Sequence, residues 1–388
     1  MPTRYLTEYA EPEIQYLSGW PEVQFDQVLV IPAYRETSHF FQQFATRTES
    51  LLIIVVINQP SDTAPHLDNI ALADAVTHWG QRQFTQGNLQ LFTRAKQGVL
   101  VVDRFALGQQ IPPKQGVGLA RKIGCDLALA LHAQHVIQAP WIYSTDADAI
   151  LPDDYFSLSA QLHYSAAVFP FFHQNDGSPT GQATALYQAA IEYFARGLTW
   201  AGSAYGYTSL GSALAVQASA YAKVRGFPKR AGGEDFYLLN KLAKVGPIYR
   251  AATAPILLEA RVSSRVPFGT GPAVQAILAL AQPEDYRYYA PELFVRLKIG
   301  LDAFSQTSQQ PLRQCLAELP VDITNALNHI GIEALLQHMH RQNINSSQQQ
   351  KVLHGWFDAF ITLKFLRFLQ THYYPPQPLH ACLQNGLF

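Results

Sequence analysis

Two aspartates that stand one residue apart are the first residues whose type and spacing suit chemistry. Asp146 and Asp148 follow the apolar run at the start of WIYSTDAD, residues 141–148. In an extended chain alternate side chains point to the same side, so both carboxylates could share one cation. Carboxylate oxygens suit hard ions such as Mg²⁺ or Mn²⁺, which commonly keep positions open for phosphate oxygens. The pair therefore predicts a Mg or Mn site for a phosphorylated substrate, although an isolated Asp-x-Asp more often caps or decorates a turn.

A second pair of acids, Glu234 and Asp235, follows two glycines in GGEDFYLLNKL, residues 232–242. The position is typical of the start of a helix, where backbone N–H groups and the helix dipole favour an ionised carboxylate. An ionised Asp235 could accept a proton from an alcohol during group transfer. The alternative is a pair of first-turn acids that only stabilise the helix.

Basic residues in two further segments could bind the phosphate groups of such a substrate. In KQGVGLARK, residues 114–122, Lys114 and Arg121 flank two glycines that precede a helix, and the N-terminus of a helix favours anions. In EARVSSRVPFGTG, residues 259–271, Arg261 and Arg265 lie in an expected loop that could close over a diphosphate. We expect one of these two arginines to contact phosphate. The alternative is a pair of solvated arginines that flank a turn.

The elements that must position these residues form an alternating series. Apolar runs predict strands at 28–31, 51–57, 98–105 and 141–148, and apolar residues at three- and four-residue spacing predict helices at 37–48 and 116–133. An α/β layer follows, and the carboxyl edge of its sheet is where such sheets bind ligands. A helix is also expected to open near Tyr155, residues 346–350 are expected to form a loop, and the chain from about 285 onward is predicted to be helical.

The composition excludes several classes of function. Lys plus Arg total 28 and Asp plus Glu total 29, so the formal net charge of -1 argues against nucleic acid as a partner. The longest apolar runs are far shorter than the roughly 20 residues that span a bilayer, and the first residues have neither signal-peptide nor transit-peptide character. A cytoplasmic protein without a transmembrane segment is therefore expected. The three cysteines are too scattered for a disulfide framework or a zinc cluster.

The order of these motifs is more informative than any one of them. VLVIPAYRE, IVVINQPSD, GVGLARKIG, STDADAILPDDYF, LGSALAVQASAYAKVRGF and GGEDFYLLNKLAKVG follow one another along the chain. Over roughly residues 26–250 this series resembles the family-2 nucleotide-sugar glycosyltransferases with the GT-A fold. The resemblance implies a GT-A, Rossmann-like α/β fold with a mixed, mostly parallel sheet flanked by helices. Residues 1–270 would form the catalytic domain, and residues 271–388 a mainly helical C-terminal extension.

For the donor, the resemblance implies a nucleoside pocket at the end of the first strand, with the base beside Asn58. The residues that would line this pocket are Pro32, Ala33, Tyr34 and Glu36. The family usually has two aspartates where this chain has Ile57 and Asn58, and an amide offers a base a donor as well as an acceptor. Arg121 matches the arginine of the family's Ala-Arg-Asn pattern, with Lys122 in place of the asparagine.

For the reaction, the resemblance implies inverting transfer of a sugar from a nucleoside-diphosphate sugar to an acceptor hydroxyl, assisted by a divalent metal. Asp148 would be the principal metal ligand, Asp146 would contact the metal or the ribose, and Asp235 would be the catalytic base with Glu234 beside it.

Two alternatives to this reaction stay open. A sugar-phosphate nucleotidyltransferase would need a Gly-rich basic loop after the first strand, where PAYRETSHFF has no glycine. The other alternative is a non-catalytic protein that retains the fold. The C-terminal helices could cover the acceptor site, mediate a homodimer or extend the core.

Overall fold

The longest apolar runs of the sequence form the centre of a β-sheet. In the computed structural model, which describes residues 3–158, 161–261, 269–308 and 311–387, every side chain from Leu51 to Ile57 is fully buried, as are those from Val28 to Val30. Val, Ile and Leu suit a pleated strand that is covered on both faces, which is the environment of a parallel sheet between helices. These runs become β1 (Gln27–Ala33) and β2 (Leu51–Asn58).

Nine strands of the described chain form this sheet, which is mixed and has a parallel centre. The other strands are β3 (Gln81–Gln86), β4 (Leu89–Arg94), β5 (Gln97–Arg104), β6 (Trp141–Ser144), β8 (Ala166–Val168), β10 (Leu214–Gln217) and β11 (Ile248–Arg250). Their order is β11-β8-β10-β6-β1-β2-β5-β4-β3. β6, β1, β2 and β5 are parallel, whereas β10 and β4 run antiparallel to their neighbours. The expected α/β class is confirmed.

The chain order creates a topological switch point between β6 and β1. From β1 the chain moves to β2 and then to β5 on one side, and it later returns to β6 on the other side of β1. Loops that leave neighbouring strands in opposite directions open a crevice at the carboxyl edge, where α/β sheets bind ligands. The loops that do so here follow Ala33 and Ser144.

The main sheet belongs to the first of two compact units, Met1–Thr184 with Ser209–Val274. This unit also has a small sheet of order β7-β12-β9, formed by β7 (Ala149–Ile150), β9 (Phe171–His173) and β12 (Ile256–Leu258). Its helices are α1 (Thr3–Glu8), α2 (Leu67–Trp79), α3 (Gly116–Ala133), α5 (Ala218–Lys223) and α6 (Glu234–Leu242), with 3-10 helices at Pro12–Leu17 and Ser38–Phe44. Two more helices, α4 (Pro179–Trp200) and α7 (Thr270–Leu278), begin in this unit and continue into the second.

The second unit, Ala185–Thr208 with Gln275–Phe388, is mainly helical. It contains α8 (Pro291–Ser305), α9 (Leu312–Ala317), α10 (Val321–His329), α11 (Ile332–Arg341), α12 (Ser346–Trp356), α13 (Ala359–His372), α14 (Leu379–Gln384), 3-10 helices at Pro283–Asp285 and Gln306–Ser308, and a two-stranded sheet of β13 (Arg287–Tyr288) and β14 (Gln377–Pro378). Its core includes Phe294, Leu297, Phe365 and Leu369, which are fully buried. The helical prediction for this part of the chain is confirmed. In the described part of the chain, no helix combines the length and the hydropathy needed to cross a bilayer.

The helix expected over 37–48 is a short 3-10 helix, Ser38–Phe44. Two other local expectations are wrong. Near Tyr155 the chain makes a turn at residues 153–156, where the Asp154 carboxylate accepts a hydrogen bond from the Ala254 N–H at 3.2 Å. Residues 346–350 are helical, because Asn345 and Gln348 form a capping box that starts α12.

Candidate active site

The Asp146–Asp148 segment is a turn, not the extended chain expected from the sequence. β6 ends at Ser144, and the Ala149 N–H donates to the Asp146 carbonyl at 3.2 Å. Thr145 anchors the start of the turn, because its N–H donates to the Val30 carbonyl (3.1 Å) and its hydroxyl to the Ser212 carbonyl (2.8 Å). Both aspartates therefore lie at the carboxyl end of β6, beside the switch point.

Arg121 on α3 joins the first aspartate to the second acidic pair. Its Nη2 donates to Asp146 Oδ1 at 2.5 Å and its Nε to Glu234 Oε1 at 2.9 Å. Its Nη1 donates to Ser144 Oγ at 2.7 Å. The Arg121 side chain is 2% exposed, and the absence of a side chain at Gly211 makes room for it, since a Cβ there would lie 2.5 Å from Nη2. The guanidinium is therefore placed to position carboxylates and is largely shielded from a ligand.

Glu234 and Asp235 are the first two residues of α6, as the sequence predicts. The Phe236 N–H donates to Asp235 Oδ1 at 2.7 Å. Burial raises the pKa of Asp235, the Phe236 N–H and Arg121 oppose this increase, and the charge of Asp146 adds to it. Burial and the charge of Asp235 raise the pKa of Glu234 to about 7, while Arg121 lowers it. The two acids thus share the electrostatic environment of Arg121 and Asp146.

Arg261 reaches the second aspartate of the turn. Its Nη2 lies 2.7 Å from Asp148 Oδ2 and 3.2 Å from Glu36 Oε1. The pairing of β7 with β12 explains this contact, because Leu258 lies opposite Ala149 and the chain then runs back past Asp148. Burial and then the charge of Asp146 raise the pKa of Asp148 to about 6, and Arg261 opposes this increase. Arg261, Asp148 and Glu36 come together although they are distant in sequence.

The carboxylates of the turn suit a divalent cation that takes its remaining ligands from a substrate. Asp146 and Asp148 are close enough for the charge of one to raise the pKa of the other, after the larger effect of burial, and a cation at this position would relieve their repulsion. Among the residues that the structure describes, no three His, Cys, Asp or Glu side chains form a group that could enclose a metal ion. Two carboxylates completed by water and phosphate oxygens are a common way to bind Mg²⁺.

The residues expected to line the nucleoside pocket lie at the ends of β1 and β2. Pro32 and Ala33 are buried within β1, whereas Tyr34 and Glu36 are half-buried in the loop that follows. Asn58 is 7% exposed. In the amide orientation that satisfies its hydrogen bonds, its nitrogen donates to the carbonyls of Ala33 (3.1 Å) and Val56 (3.3 Å). Asn58 thus ties the two strand ends together behind the loop.

The other basic residues expected to bind phosphate are Lys114 and Arg265. Lys114 is exposed in the loop before α3. The backbone of residues 228–231 packs against Gly116 and Gly118, and the Gly118 N–H donates to the Arg230 carbonyl at 2.9 Å. The two glycines therefore serve close backbone packing, which brings the start of α6 next to α3. Arg265 lies outside the described residues.

A buried ionic network behind the site was not predicted from the sequence. Lys122 Nζ donates to Asp126 Oδ2 at 2.8 Å and to Tyr5 Oη at 2.6 Å, and Tyr221 Oη donates to Asp126 Oδ1 at 2.9 Å. Lys122 thus compensates the charge of an aspartate that is 0% exposed. The sequence offered a signal for this pair, because Lys122 and Asp126 are opposite charges four residues apart on a mostly apolar helix.

We expect Glu234 to make folding stability depend on pH. Its folded pKa of about 7 exceeds its usual 4.5, and its side chain is 6% exposed. Between these values the unfolded chain releases the proton that the folded chain retains, so this contribution to stability is present below pH 4.5 and is lost as the pH rises to 7. Because Asp235 titrates with Glu234, the loss is on the order of 1–3 kcal/mol. Urea unfolding at pH 4.5 to 7.5 should show this loss for the wild type relative to Glu234→Gln.

The control for this prediction is Glu284→Gln, at an exposed glutamate of the second unit. The difference in unfolding free energy between the wild type and this variant should not change with pH in the same window. A constant difference between the wild type and Glu234→Gln would contradict the prediction.

Comparison with known proteins does not assign a family. No protein-family model and no curated protein matches the chain. Among solved structures, the chain is similar to the mannosyltransferase PcManGT from Pyrobaculum calidifontis, which was determined in complex with GDP-Man and Mn²⁺. The alignment covers 91% of this chain and 93% of that chain, with 16% sequence identity and a TM-score of 0.37. A likeness of this degree determines neither a family nor an activity.

Proposed function

We propose that the protein is a metal-dependent inverting glycosyltransferase that moves a sugar from a nucleoside-diphosphate sugar to an acceptor hydroxyl. The observation that carries the proposal is the meeting of two acidic segments, Asp146–Asp148 and Glu234–Asp235, through one buried guanidinium at the switch point of the sheet. Such a crevice is the usual place for a nucleotide in an α/β sheet. The arrangement supplies both a cation-binding carboxylate pair and a separate, half-buried base.

The reaction needs one base, because inversion is a single displacement. The acceptor oxygen forms a bond to the anomeric carbon as the bond from that carbon to the phosphate oxygen breaks, and the diphosphate leaves with the electron pair. The acceptor proton goes to Asp235. The Phe236 N–H already holds Asp235 Oδ1, so Oδ2 is the oxygen for the acceptor. A base of this kind contributes about 10²–10⁴-fold in rate.

The donor side of the site combines Asp146, Asp148 and Arg261. Asp146 and Asp148 would hold Mg²⁺ or Mn²⁺, and such an ion, when bound, stabilises the negative charge that develops on the leaving diphosphate. Arg261 contacts Asp148 and Glu36 through the same Nη2. We propose that it turns from these carboxylates to a donor phosphate, which is the kind of group that a guanidinium fork binds best. Tyr34 and Glu36 would then face the nucleoside.

Release of nucleoside diphosphate from a panel of UDP-, GDP- and dTDP-linked sugars with Mn²⁺ or Mg²⁺ tests the proposal. Asp148→Asn is expected to lower the affinity for Mn²⁺, measured with nucleoside diphosphate present, at least about 10–100-fold, because even outer-shell partners of a metal ligand have effects of this size. Asp153→Asn is the matched control, since Asp153 is exposed in the nearby turn. Wild-type metal affinity and turnover in Asp148→Asn would contradict the metal site. Pyrophosphate release from a nucleoside triphosphate would favour a nucleotidyltransferase instead.

Arg261→Ala should change metal and donor binding in opposite directions. Loss of the guanidinium removes a cation that competes for Asp148, so Mn²⁺ should bind the donor-free protein more tightly. Donor affinity should fall by about tenfold or more, the effect of losing a hydrogen bond to a charged group. Calorimetric titration with Mn²⁺ alone, and then with a sugar nucleotide, separates the two effects. A parallel fall in both affinities would show that Arg261 only stabilises the loop.

A further inference from the structure

A cavity lies in the first unit, away from the acidic turn. Its volume is about 540 Å³, and its lining comes from α1, the C-terminal end of α3 and both ends of α5. Pro140 and Gln217 mark its position at the amino edge of β6 and the carboxyl edge of the antiparallel β10. The candidate active site adjoins the other end of this strand pair, where Ser144 lies opposite Leu214. Three residue steps separate the two ends, or about 10 Å at ~3.3 Å per residue.

The described lining of this cavity is basic and partly aromatic. Lys223 and Arg225 contribute positive charge, whereas Arg4 is paired with Glu8 at 3.0 Å, and no Asp or Glu is among the lining residues that the structure describes. The Arg225 guanidinium lies over the ring of Tyr9, with its central carbon 4.5 Å from the ring centroid. The walls between these groups include the partly exposed apolar residues Ala133, Pro140 and Ala222. A cavity with apolar walls and cations on one side is complementary to an anion that carries an apolar body.

The position of Arg225 is fixed by the turn that carries it. Arg225 has φ 62, in the left-handed region where a non-glycine residue is disfavoured. The turn is held by Lys241, whose Nζ donates to the carbonyls of Val224 (2.7 Å) and Gly226 (2.8 Å). A Cβ at Gly226 would collide with the Tyr5 hydroxyl, so glycine is required there. An arginine that is kept in a strained position by a built turn is the kind of feature found at ligand sites.

His132 adds a hydrogen-bonding group to the same lining. Its Nδ1 lies 3.0 Å from the Ile137 carbonyl. Because a carbonyl only accepts, Nδ1 must carry a hydrogen there. The opposite nitrogen, Nε2, is then the ring atom that can interact with a ligand.

We infer that this cavity binds a small molecule with a planar apolar body and one anionic group, such as an aryl sulfonate, carboxylate or phosphate. Arg225 and Lys223 hold the anionic group, and the apolar wall of Ala133, Pro140 and Ala222 covers the body. The inference does not depend on the proposed transfer reaction, because the cavity shares no residue with the acidic site.

Titration with 1-anilinonaphthalene-8-sulfonate, followed by its fluorescence, tests the inference. We expect saturable binding near one molecule per chain, and weaker binding of N-phenyl-1-naphthylamine, which has the same aromatic body without the charge. Arg225→Gly should weaken sulfonate binding about tenfold and leave the neutral probe unchanged. This variant should fold normally, because glycine suits the backbone at φ 62.

Two further variants keep the test decisive. Ala222→Phe should weaken both probes, because Ala222 lines the cavity and a larger side chain would fill it. Arg94→Gln removes an exposed cation that does not line the cavity and should change neither affinity. Equal affinity for the charged and neutral probes, or sulfonate binding that survives both Arg225→Gly and Ala222→Phe in folded protein, would overturn the inference.

Discussion

Asp235→Asn should lower kcat of sugar transfer by about 10²–10⁴-fold, the contribution of a positioned general base. Asparagine has the shape of aspartate and can still accept the Phe236 N–H, but its amide cannot take up the acceptor proton. The affinity for the sugar nucleotide should stay within about twofold, because the acceptor proton plays no part in donor binding. Steady-state kinetics at saturating donor, with donor affinity measured separately by calorimetry, would show this division.

Two controls separate the base from a structural carboxylate. Asp153→Asn makes the same chemical change at an exposed position and should keep wild-type kcat. Asp235→Ala leaves space where the carboxylate was, so added formate should restore part of the activity if a missing base is the cause of the loss. Wild-type kcat in Asp235→Asn would exclude Asp235 as the base, and a failure of formate together with weaker donor binding would assign it a structural role.

The central strands could be predicted from the sequence because burial on both faces leaves a continuous apolar run. Residues 51–57 are apolar at every position and fully buried, and no helix of ordinary amphipathic character would have that pattern. The predicted strands also indicated the carboxyl edge of the sheet, and with it the location of Asp146 and Asp148. The edge hairpin β3–β4 was not predicted, because β3 is mostly exposed and exposed strands do not need an apolar pattern.

The local sequence pattern did not predict the conformation of the acidic turn. The four residues DADA, 146–149, alternate between polar and apolar as in a half-buried strand, yet β6 ends at Ser144. Tertiary contacts decide the outcome, since Thr145 hydrogen-bonds to Val30 and Ser212. A turn therefore brings Asp146 and Asp148 to the same place, and not the alternation of side chains along a strand that the sequence predicts.

The ion pairs of the site join residues whose contact cannot be predicted from a single sequence. Arg121 and Glu234 are 113 residues apart, and Arg261 and Glu36 are 225 apart. Each residue was predicted to act on a ligand, and each is found in contact with another charged side chain. A single sequence gives residue types and spacing, but the choice between binding a ligand and pairing within the protein depends on the three-dimensional packing.

Arg121→Met should destabilise the first unit by about 3–5 kcal/mol, because removal of one partner from a buried ionic cluster leaves the others uncompensated. The guanidinium is 2% exposed and holds both Asp146 and Glu234. Methionine is close in length but provides no hydrogen bond, so two carboxylates and the Ser144 hydroxyl lose their donor. Urea unfolding followed by tryptophan fluorescence would measure the change in unfolding free energy.

The pH dependence of the variants distinguishes the electrostatic role of Arg121 from simple packing. Arg121 opposes the rise in the pKa of Glu234 and of Asp235, so its loss should move the acidic limb of the rate profile to higher pH. Arg47→Met is the matched control, since Arg47 is also nearly buried, at 6% exposed, but pairs with Glu49 and donates to the carbonyls of Leu151 and Pro152. It should lower stability without moving the rate profile.

The double variant Arg121→Met with Glu234→Gln should recover part of the lost stability, because it also removes a carboxylate left without its partner. Full additivity of the two changes, or an unmoved rate profile in Arg121→Met, would mean that Arg121 supports the fold without setting the charge state of the proposed base.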